Sequence, residues 1–178
     1  RVMGLIRDIV LARVIGAEAL ADVFFVAFKI PNFFRRLFAE GAFAQAFVPV
    51  LGEYREKGTQ AALKELTDRV FGTLGLSLFL LTLVIILAAP LMAVLFAPKW
   101  YLNDPFKFNA TAEMLRITFP YLMFISMTGV AGGILNSYDR FAVPAFTPIL
   151  LNISMIFAAL IAAPWFDQPT YALAWGVF

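Results

Sequence analysis

Residues 70–98 read VFGTLGLSLFLLTLVIILAAPLMAVLFAP and contain no charged side chain in 29 positions. A helix needs about 20 apolar residues, at about 1.5 Å per residue, to cross a hydrocarbon core about 30 Å thick. Two further uncharged runs, 117–138 and 141–166, meet the same requirement. Of the 178 residues, 62% are hydrophobic and only 15% are charged, whereas soluble domains carry about 25% charged residues. The sequence therefore predicts an all-α integral membrane protein.

The residues between the apolar runs predict where the helices begin and end. Gly16 suits the end of a first helix and Asp22 the start of a second, and Thr59 can cap a helix that begins a later span as an amphipathic segment. Residues 52–68 form a charged connection. Residues 1–178 are thus expected to form a single transmembrane domain of about six helices, with both ends truncated. The predicted spans are about 1–15, 22–51, 70–96, 113–136, 144–163 and 171–178 onward.

The orientation of the spans follows from the basic residues of the connections. The connections on one side of the membrane contain five basic residues, and those on the other side contain two, Lys99 and Lys107. Because cytoplasmic loops carry an excess of Lys and Arg, the connections 52–68 and 137–143 are predicted to be cytoplasmic. The five residues on that side are Arg55, Lys57, Lys64, Arg69 and Arg140.

The composition excludes several functional classes. The chain contains no Cys and no His, which removes the usual zinc, haem and iron–sulfur ligands and the commonest nucleophiles and general bases. We also find no acid pair spaced for a metal and no Gly-rich phosphate loop, so no metal or cofactor is expected. The net charge is only +2, without a basic tail, so nucleic acid is not an expected partner.

The first two predicted spans differ from the others because they are rich in charge. An ionised side chain at the centre of a bilayer costs about 2.5 to 3.5 kcal/mol, so such residues normally face a bundle interior or a watery cavity and mark a transport pathway. Nine charged residues in this region carry the functional hypotheses: Arg1, Arg7, Asp8, Arg13, Asp22, Lys29, Arg35, Arg36 and Glu40.

Two arginines are the main candidates for binding an anion. Arg7 is adjacent to Asp8, which can orient its guanidinium. The residues three and four positions before and after Arg35 are Pro31, Asn32, Phe38 and Ala39. None of them is acidic, so the counter-charge of Arg35 is expected from elsewhere in the protein. Two sources remain open, a substrate or a buried network with later helices. The forked donors of a guanidinium match the oxygens of a phosphate or diphosphate.

The remaining charged residues have simpler interpretations. Arg36 and Glu40 are four positions apart and are predicted to form an ion pair. Asp22 is interpreted as a helix-start cap rather than a proton carrier, and Arg13 as an interfacial arginine near the end of its helix. Pro31 lacks an amide hydrogen, so it leaves the carbonyl of residue 27 without its helical donor and is predicted to kink the second helix.

Several motifs resemble the MurJ (MviN) family of lipid II flippases. The resemblance extends over essentially the whole chain and is weakest between residues 59 and 109. The matching segments are RVMGLIRD at 1–8, ADVFFVAFKIPN at 21–32, FRRLFAEGAFAQAFVP at 34–49, ITFPY at 117–121, GILN at 133–136, RFAVPAFTP at 140–148 and LNISM at 151–155.

This resemblance implies a fold, a function and a set of site residues. The fold would be a multi-helix transporter bundle of the multidrug/oligosaccharidyl-lipid/polysaccharide exporter superfamily, and this chain would be most of its first lobe. The function would be the movement of lipid II, an undecaprenyl-diphosphate-linked disaccharide pentapeptide, from the cytoplasmic to the periplasmic leaflet of the bacterial inner membrane by alternating access. No bond is made or broken, so the protein would not be an enzyme. Arg1, Arg7, Asp8 and Arg35 would contact the substrate, and Asp22, Arg36 and Glu40 would support transport.

Two other functions remain open from the sequence. A drug or ion antiporter of the same superfamily would share the bundle but should present acidic residues to an aqueous pocket. A non-transporting membrane scaffold for cell-wall synthesis would tolerate the loss of Arg7 and Arg35. Membrane lipids are expected around either, and cell-wall synthesis proteins are further candidate partners.

Overall fold

The structure is a computed structural model that describes residues 2–15, 20–36 and 42–178. The side chains of residues 42–45, 48 and 57 are not among those described. Ten α-helices are seen in these ranges, together with a π-helical turn at Ala158–Ala162 and a 3₁₀ turn at Ala163–Trp165. The helices are α1 Val2–Ile15, α2 Ala21–Arg35, α3 Ala42–Lys57, α4 Gln60–Leu87, α5 Ala89–Phe96, α6 Pro98–Asn103, α7 Pro105–Thr118, α8 Tyr121–Ser137, α9 Ala142–Phe157 and α10 Pro169–Val177.

Three helical stretches in the described part of the chain are long and apolar enough to cross a membrane, 60–87, 105–137 and 142–165. They correspond to the three uncharged runs of the sequence, so the predicted membrane class is confirmed. The helices α1 and α2 are only 14 and 15 residues long and carry charges. The expected number of about six spans is therefore only roughly matched, and the individual crossings outside these three stretches remain predictions.

Several helix boundaries follow from local chemistry. Thr59 caps α4 as predicted, because its hydroxyl accepts a hydrogen bond from the amide of Ala62 at 3.2 Å. The carboxylate of Asp104 caps α7 by accepting from the amide of Lys107 at 3.0 Å. The predicted connection 52–68 is mostly helical, since α3 continues to Lys57 and α4 begins at Gln60.

The surface of α4 shows where lipid is expected. Leu78, Thr82 and Ile85 are buried, at the spacing of one helical face. Six other large apolar side chains of this span are exposed, among them Leu87 at 73%. Because clustered exposed apolar side chains mark a membrane or protein contact, we expect this face of α4 to lie against lipid.

The interior of the bundle is built around α2. This helix packs against α7, α8 and α10, and its Val23, Phe24, Ala27 and Ile30 are fully buried. The helix α1 packs instead against α9 and the π-helical turn. The charged residues of α1 and α2 are therefore positioned by different neighbours.

Candidate functional site

Arg35 lies in the last turn of α2 and is half-buried. Its Nε donates a hydrogen bond to Oδ1 of Asn32 at 3.3 Å. The amide Nδ2 of Asn32 in turn donates to the backbone carbonyl of Phe28 at 3.1 Å. These hydrogen bonds connect the guanidinium to the turn of α2 that contains Pro31. The sequence predicts a kink of the helix at this turn.

Arg35 lines a cavity of about 370 Å³ between α2, α8 and α9. Among the residues that the structure describes, no acidic side chain lines this cavity. Its polar walls combine one guanidinium with two hydroxyls and one amide, a set that suits an anionic group carrying further hydroxyls. The other lining residues are Ile125, Thr128, Gly129, Gly132, Asn136, Pro144, Thr147 and Pro148.

The sequence did not identify Thr128, Asn136 and Thr147 as site residues. They lie about 90 to 110 positions after Arg35. Asn136 and Thr147 fall within the family-like segments 133–136 and 140–148, but those segments alone do not indicate that they lie beside Arg35. Gly132 is the sequence feature that could have indicated these residues. A Cβ at Gly132 would lie 3.3 Å from Cβ of Pro144, so this glycine allows α8 and α9 to approach each other beside the cavity.

Arg7 and Asp8 form the contact that their adjacency predicted. The NH2 nitrogen of Arg7 lies 2.7 Å from Oδ1 of Asp8, and its Nε lies 3.0 Å from the same oxygen. The Arg7 side chain is only 24% exposed and that of Asp8 is 63% exposed. The predicted contact between Asp8 and Arg7 is therefore present, and the role of Asp8 in orienting Arg7 for a substrate remains a prediction.

Asp8 lines a different cavity from Arg35. This second cavity has a volume of about 420 Å³ and is otherwise apolar, with Leu11, Ala12 and Ile15 of α1 facing Ala21 and Phe25 of α2. The structure thus places Asp8 and Arg35 against separate spaces. A single site shared by Arg7 and Arg35 remains a prediction.

Asp22 has a partner that the sequence did not suggest. Its Oδ2 lies 3.6 Å from Nζ of Lys107 on α7, and this ammonium group lies 5.7 Å from the centroid of the Trp100 ring. The N-cap position of α2 is occupied by Leu20, so the interpretation of Asp22 as the cap is wrong. The carboxylate lies in the first turn, where the helix dipole favours it, and it also pairs with α7.

Two of the predicted site residues lie outside the described ranges, and two other charged residues of this region are exposed. Arg1 and Glu40 lie outside the described residues, so the Arg36–Glu40 pair remains a prediction. Arg36 itself is exposed, and Arg13 is exposed in the last turn of α1. The position of Arg13 fits the interfacial role predicted for it.

A third cavity, of about 410 Å³, is acidic. Two carboxylates line it, Glu113 from α7 and Asp167 from the segment before α10. The hydroxyl of Tyr171 on α10 donates to Oε2 of Glu113 at 2.5 Å, which joins α7 to α10. The remaining lining residues are Phe106, Asn109, Ala110, Phe166 and Gln168. The sequence did not predict this site, because its two acids are 54 positions apart.

Comparison with known proteins identifies the family. The model of the family described as "Lipid II flippase MurJ" matches residues 11–178. The chain belongs to the MurJ family. A relative from Haemophilus influenzae, named a probable lipid II flippase MurJ, is 47% identical over 184 aligned residues, covering all of this chain and 36% of that protein. The lipid II flippase MurJ of Burkholderia cenocepacia is 45% identical over 177 residues, covering 99% of this chain and 34% of that protein.

A solved structure shows the same fold. The lipid II flippase MurJ in an inward closed conformation superposes with a TM-score of 0.80 and 25% identity, over 99% of this chain and 36% of that chain. The resemblance to the MurJ family and the predicted transporter fold are therefore confirmed. The chain spans about a third of the length of the relatives it matches.

Proposed function

We propose that the protein to which this chain belongs is a flippase. It moves lipid II from the cytoplasmic to the periplasmic leaflet of the bacterial inner membrane for peptidoglycan synthesis, by alternating access and without chemical conversion. The observation that carries this proposal is the cavity of about 370 Å³ in which Arg35 of a MurJ-family chain faces two hydroxyl groups and an amide, with no carboxylate among the described lining residues. Such a cavity favours an anionic headgroup over a cation.

The headgroup chemistry assigns roles to individual residues. The diphosphate of lipid II carries the negative charge that a guanidinium binds with two parallel hydrogen bonds. Arg35 and Arg7 are proposed to bind it, with Asp8 orienting Arg7 and Arg1 adding positive charge nearer the cytoplasmic entrance. Three further residues are proposed to support transport without being the main phosphate ligands: Asp22, Arg36 and Glu40.

The position of the Arg35 cavity supports entry from the cytoplasmic side. Asn136 and Pro144, on either side of the turn between α8 and α9, both line it. This turn lies within the connection 137–143 that the basic residues assign to the cytoplasm. The cavity therefore lies near the leaflet in which the substrate begins its transfer.

The decisive experiment compares variants of Arg35 in the full-length protein. Lys keeps the charge but provides a point donor instead of a fork, so Arg35→Lys should weaken transport and Arg35→Ala should abolish it. The measurement is the leaflet accessibility of lipid II in cells depleted of other flippases, with protein abundance determined in parallel. Arg13→Ala is the matched control, because it removes an exposed arginine of the same charged region and should leave transport unchanged.

Normal flipping by well-expressed Arg7→Ala and Arg35→Ala proteins would contradict the site assignment. Unchanged flipping in cells that lack the protein altogether would favour the scaffold function, which requires neither arginine.

One observation favours an alternative function. A drug or ion antiporter should present acids to an aqueous pocket, and Glu113 and Asp167 line the third cavity. A binding assay that compares a cationic drug with a lipid diphosphate separates the two functions. Tight binding of the drug that is lost in Glu113→Gln, with no binding of the diphosphate, would favour the antiporter.

A further inference from the structure

Thr118 uses its hydroxyl differently from the other helical threonines whose hydrogen bonds are described. Thr67, Thr111 and Thr128 each donate to the carbonyl four residues earlier in their own helix, at 2.9, 2.7 and 2.8 Å. This is the usual behaviour of a threonine within a helix. The hydroxyl of Thr118, at the end of α7, instead donates to the carbonyl of Ala27 on α2 at 3.1 Å.

The acceptor of this bond is the carbonyl that Pro31 leaves without a helical donor. Proline has no amide hydrogen, so the carbonyl four residues before it cannot complete its helical hydrogen bond. Ala27 and Thr118 are both fully buried. A buried carbonyl without a donor is costly, and in membrane helices a neighbouring Ser or Thr side chain commonly provides the missing bond. Thr118 therefore completes the hydrogen bonding of α2 at its proline turn.

This turn leads directly to the candidate site. The next carbonyl, that of Phe28, accepts from the side chain of Asn32, and Asn32 in turn accepts from Nε of Arg35. The contact between α7 and α2 thus lies at the base of a short series of hydrogen bonds that ends at the guanidinium lining the cavity. A change in the direction of α2 after Pro31 would move Arg35 relative to α8 and α9.

We propose that Thr118 is a positioning residue that holds α2 at its proline turn and so aims Arg35 into the cavity between α8 and α9. The inference rests on the proposed function only in giving Arg35 the role of a substrate ligand. Thr118 itself does not touch the substrate. Its role predicts that the hydroxyl, rather than the volume of the side chain, is what matters.

The test uses Thr118→Val, which keeps the shape of the side chain and removes the donor, in a cysteine-free full-length protein. Spin labels at positions 33 and 91 report the distance from the Arg35 half of α2 to α5, which packs on α7. Labels at 25 and 91 report the other half of α2. All three positions have exposed side chains. Thr118→Val should shift or broaden the 33–91 distance distribution and leave the 25–91 distribution unchanged.

Two further variants separate positioning from general destabilisation. Thr118→Ser retains the hydroxyl and should restore the 33–91 distribution of the unmodified protein. Thr111→Val removes an equally buried hydroxyl from the same helix, but one that bonds within α7, and should leave the distribution unchanged. The affinity for purified lipid II, measured by titration in detergent, should fall about two- to tenfold in Thr118→Val, the factor for one ordinary hydrogen bond.

Unchanged 33–91 distances and unchanged affinity in Thr118→Val would overturn the inference, whatever Arg35→Ala does. Shifted distances together with normal transport by Arg35→Ala would support the role of Thr118 in positioning α2 and would refute the proposed role of Arg35 as a substrate ligand instead. If Thr118→Val does not accumulate, Thr118→Ala provides the same comparison against Thr111→Ala.

Discussion

Gly176 lies where the packing of two helical segments leaves no room for a side chain. A Cβ built on Gly176 of α10 would lie 2.5 Å from Cβ of Ala158 in the π-helical turn, closer than carbon atoms in contact approach each other. The carbonyl of Gly176 also accepts a hydrogen bond from the hydroxyl of Ser154 at 2.7 Å. Leu173 and Ala174 on the same helix are fully buried, so α10 cannot move outward without losing its packing.

The expected cost of Gly176→Ala follows from these contacts. Forcing an extra methyl group into a well-packed interior costs about 1 to 3 kcal/mol. If the helix shifts enough to break the bond from Ser154, about 1 kcal/mol is added. Alanine favours a helix by about 1 kcal/mol over glycine, which offsets part of this cost. Gly176→Ala should therefore lower the free energy of unfolding by about 1 to 3 kcal/mol.

The measurement is unfolding of the purified full-length protein by denaturant titration in mixed micelles. The double variant Ala158→Gly with Gly176→Ala moves the methyl group from one helix to the other. Because the helix propensities of the two positions then cancel, it should recover most of the lost stability. Gly72→Ala is the control, since no atom lies within 4 Å of a Cβ at that position. A loss no greater than that of Gly72→Ala, or a double variant no better than the single one, would refute the steric argument.

Two further predictions concern topology and the second helix. Single cysteines introduced into 52–68 and 137–143 should resist an impermeant thiol reagent added to intact cells; labelling of 52–68 from outside would reverse the topology. Exchange of the charges in Arg36→Glu with Glu40→Arg should recover part of the transport that either single change loses. A double variant no better than the worse single one would mean that Arg36 contacts the substrate directly.

The membrane-spanning parts of the fold could be predicted from the sequence. Three runs without charge located the three long apolar spans, because a charged residue within the hydrocarbon core is too costly to be common there. The cap at Thr59 was also predictable, since it depends on residues within one turn. The division of the first of these runs into α4 and α5 near Ala88 was not predicted, although Pro90 in the first turn of α5 is a sequence signal for it.

The candidate site was predictable only for contacts between near neighbours. The pairing of Arg7 with Asp8 follows from adjacency, and Pro31 correctly identified the carbonyl of Ala27 as lacking its helical donor. The hydroxyl that donates the missing hydrogen bond to this carbonyl belongs to Thr118, which is 91 positions away. Nothing in the local sequence distinguishes this threonine from Thr111, because the packing of α2 on α7 decides which carbonyl each hydroxyl reaches.

The charges of the two polar cavities give a direction to the proposed transport. The stretch 142–165 has the Arg35 cavity at its start, through Pro144 and Thr147, and the acidic cavity directly after its end, through Asp167. An anionic headgroup is attracted to the first cavity and repelled by carboxylates at the second. Since the start of this stretch adjoins the connection assigned to the cytoplasm, loading is favoured there and residence at the opposite end is not. If the protein is the proposed flippase with this topology, the asymmetry would promote release of the diphosphate on the periplasmic side. We therefore expect Asp167→Asn in the full-length protein to slow the appearance of lipid II in the periplasmic leaflet without lowering its affinity for lipid II.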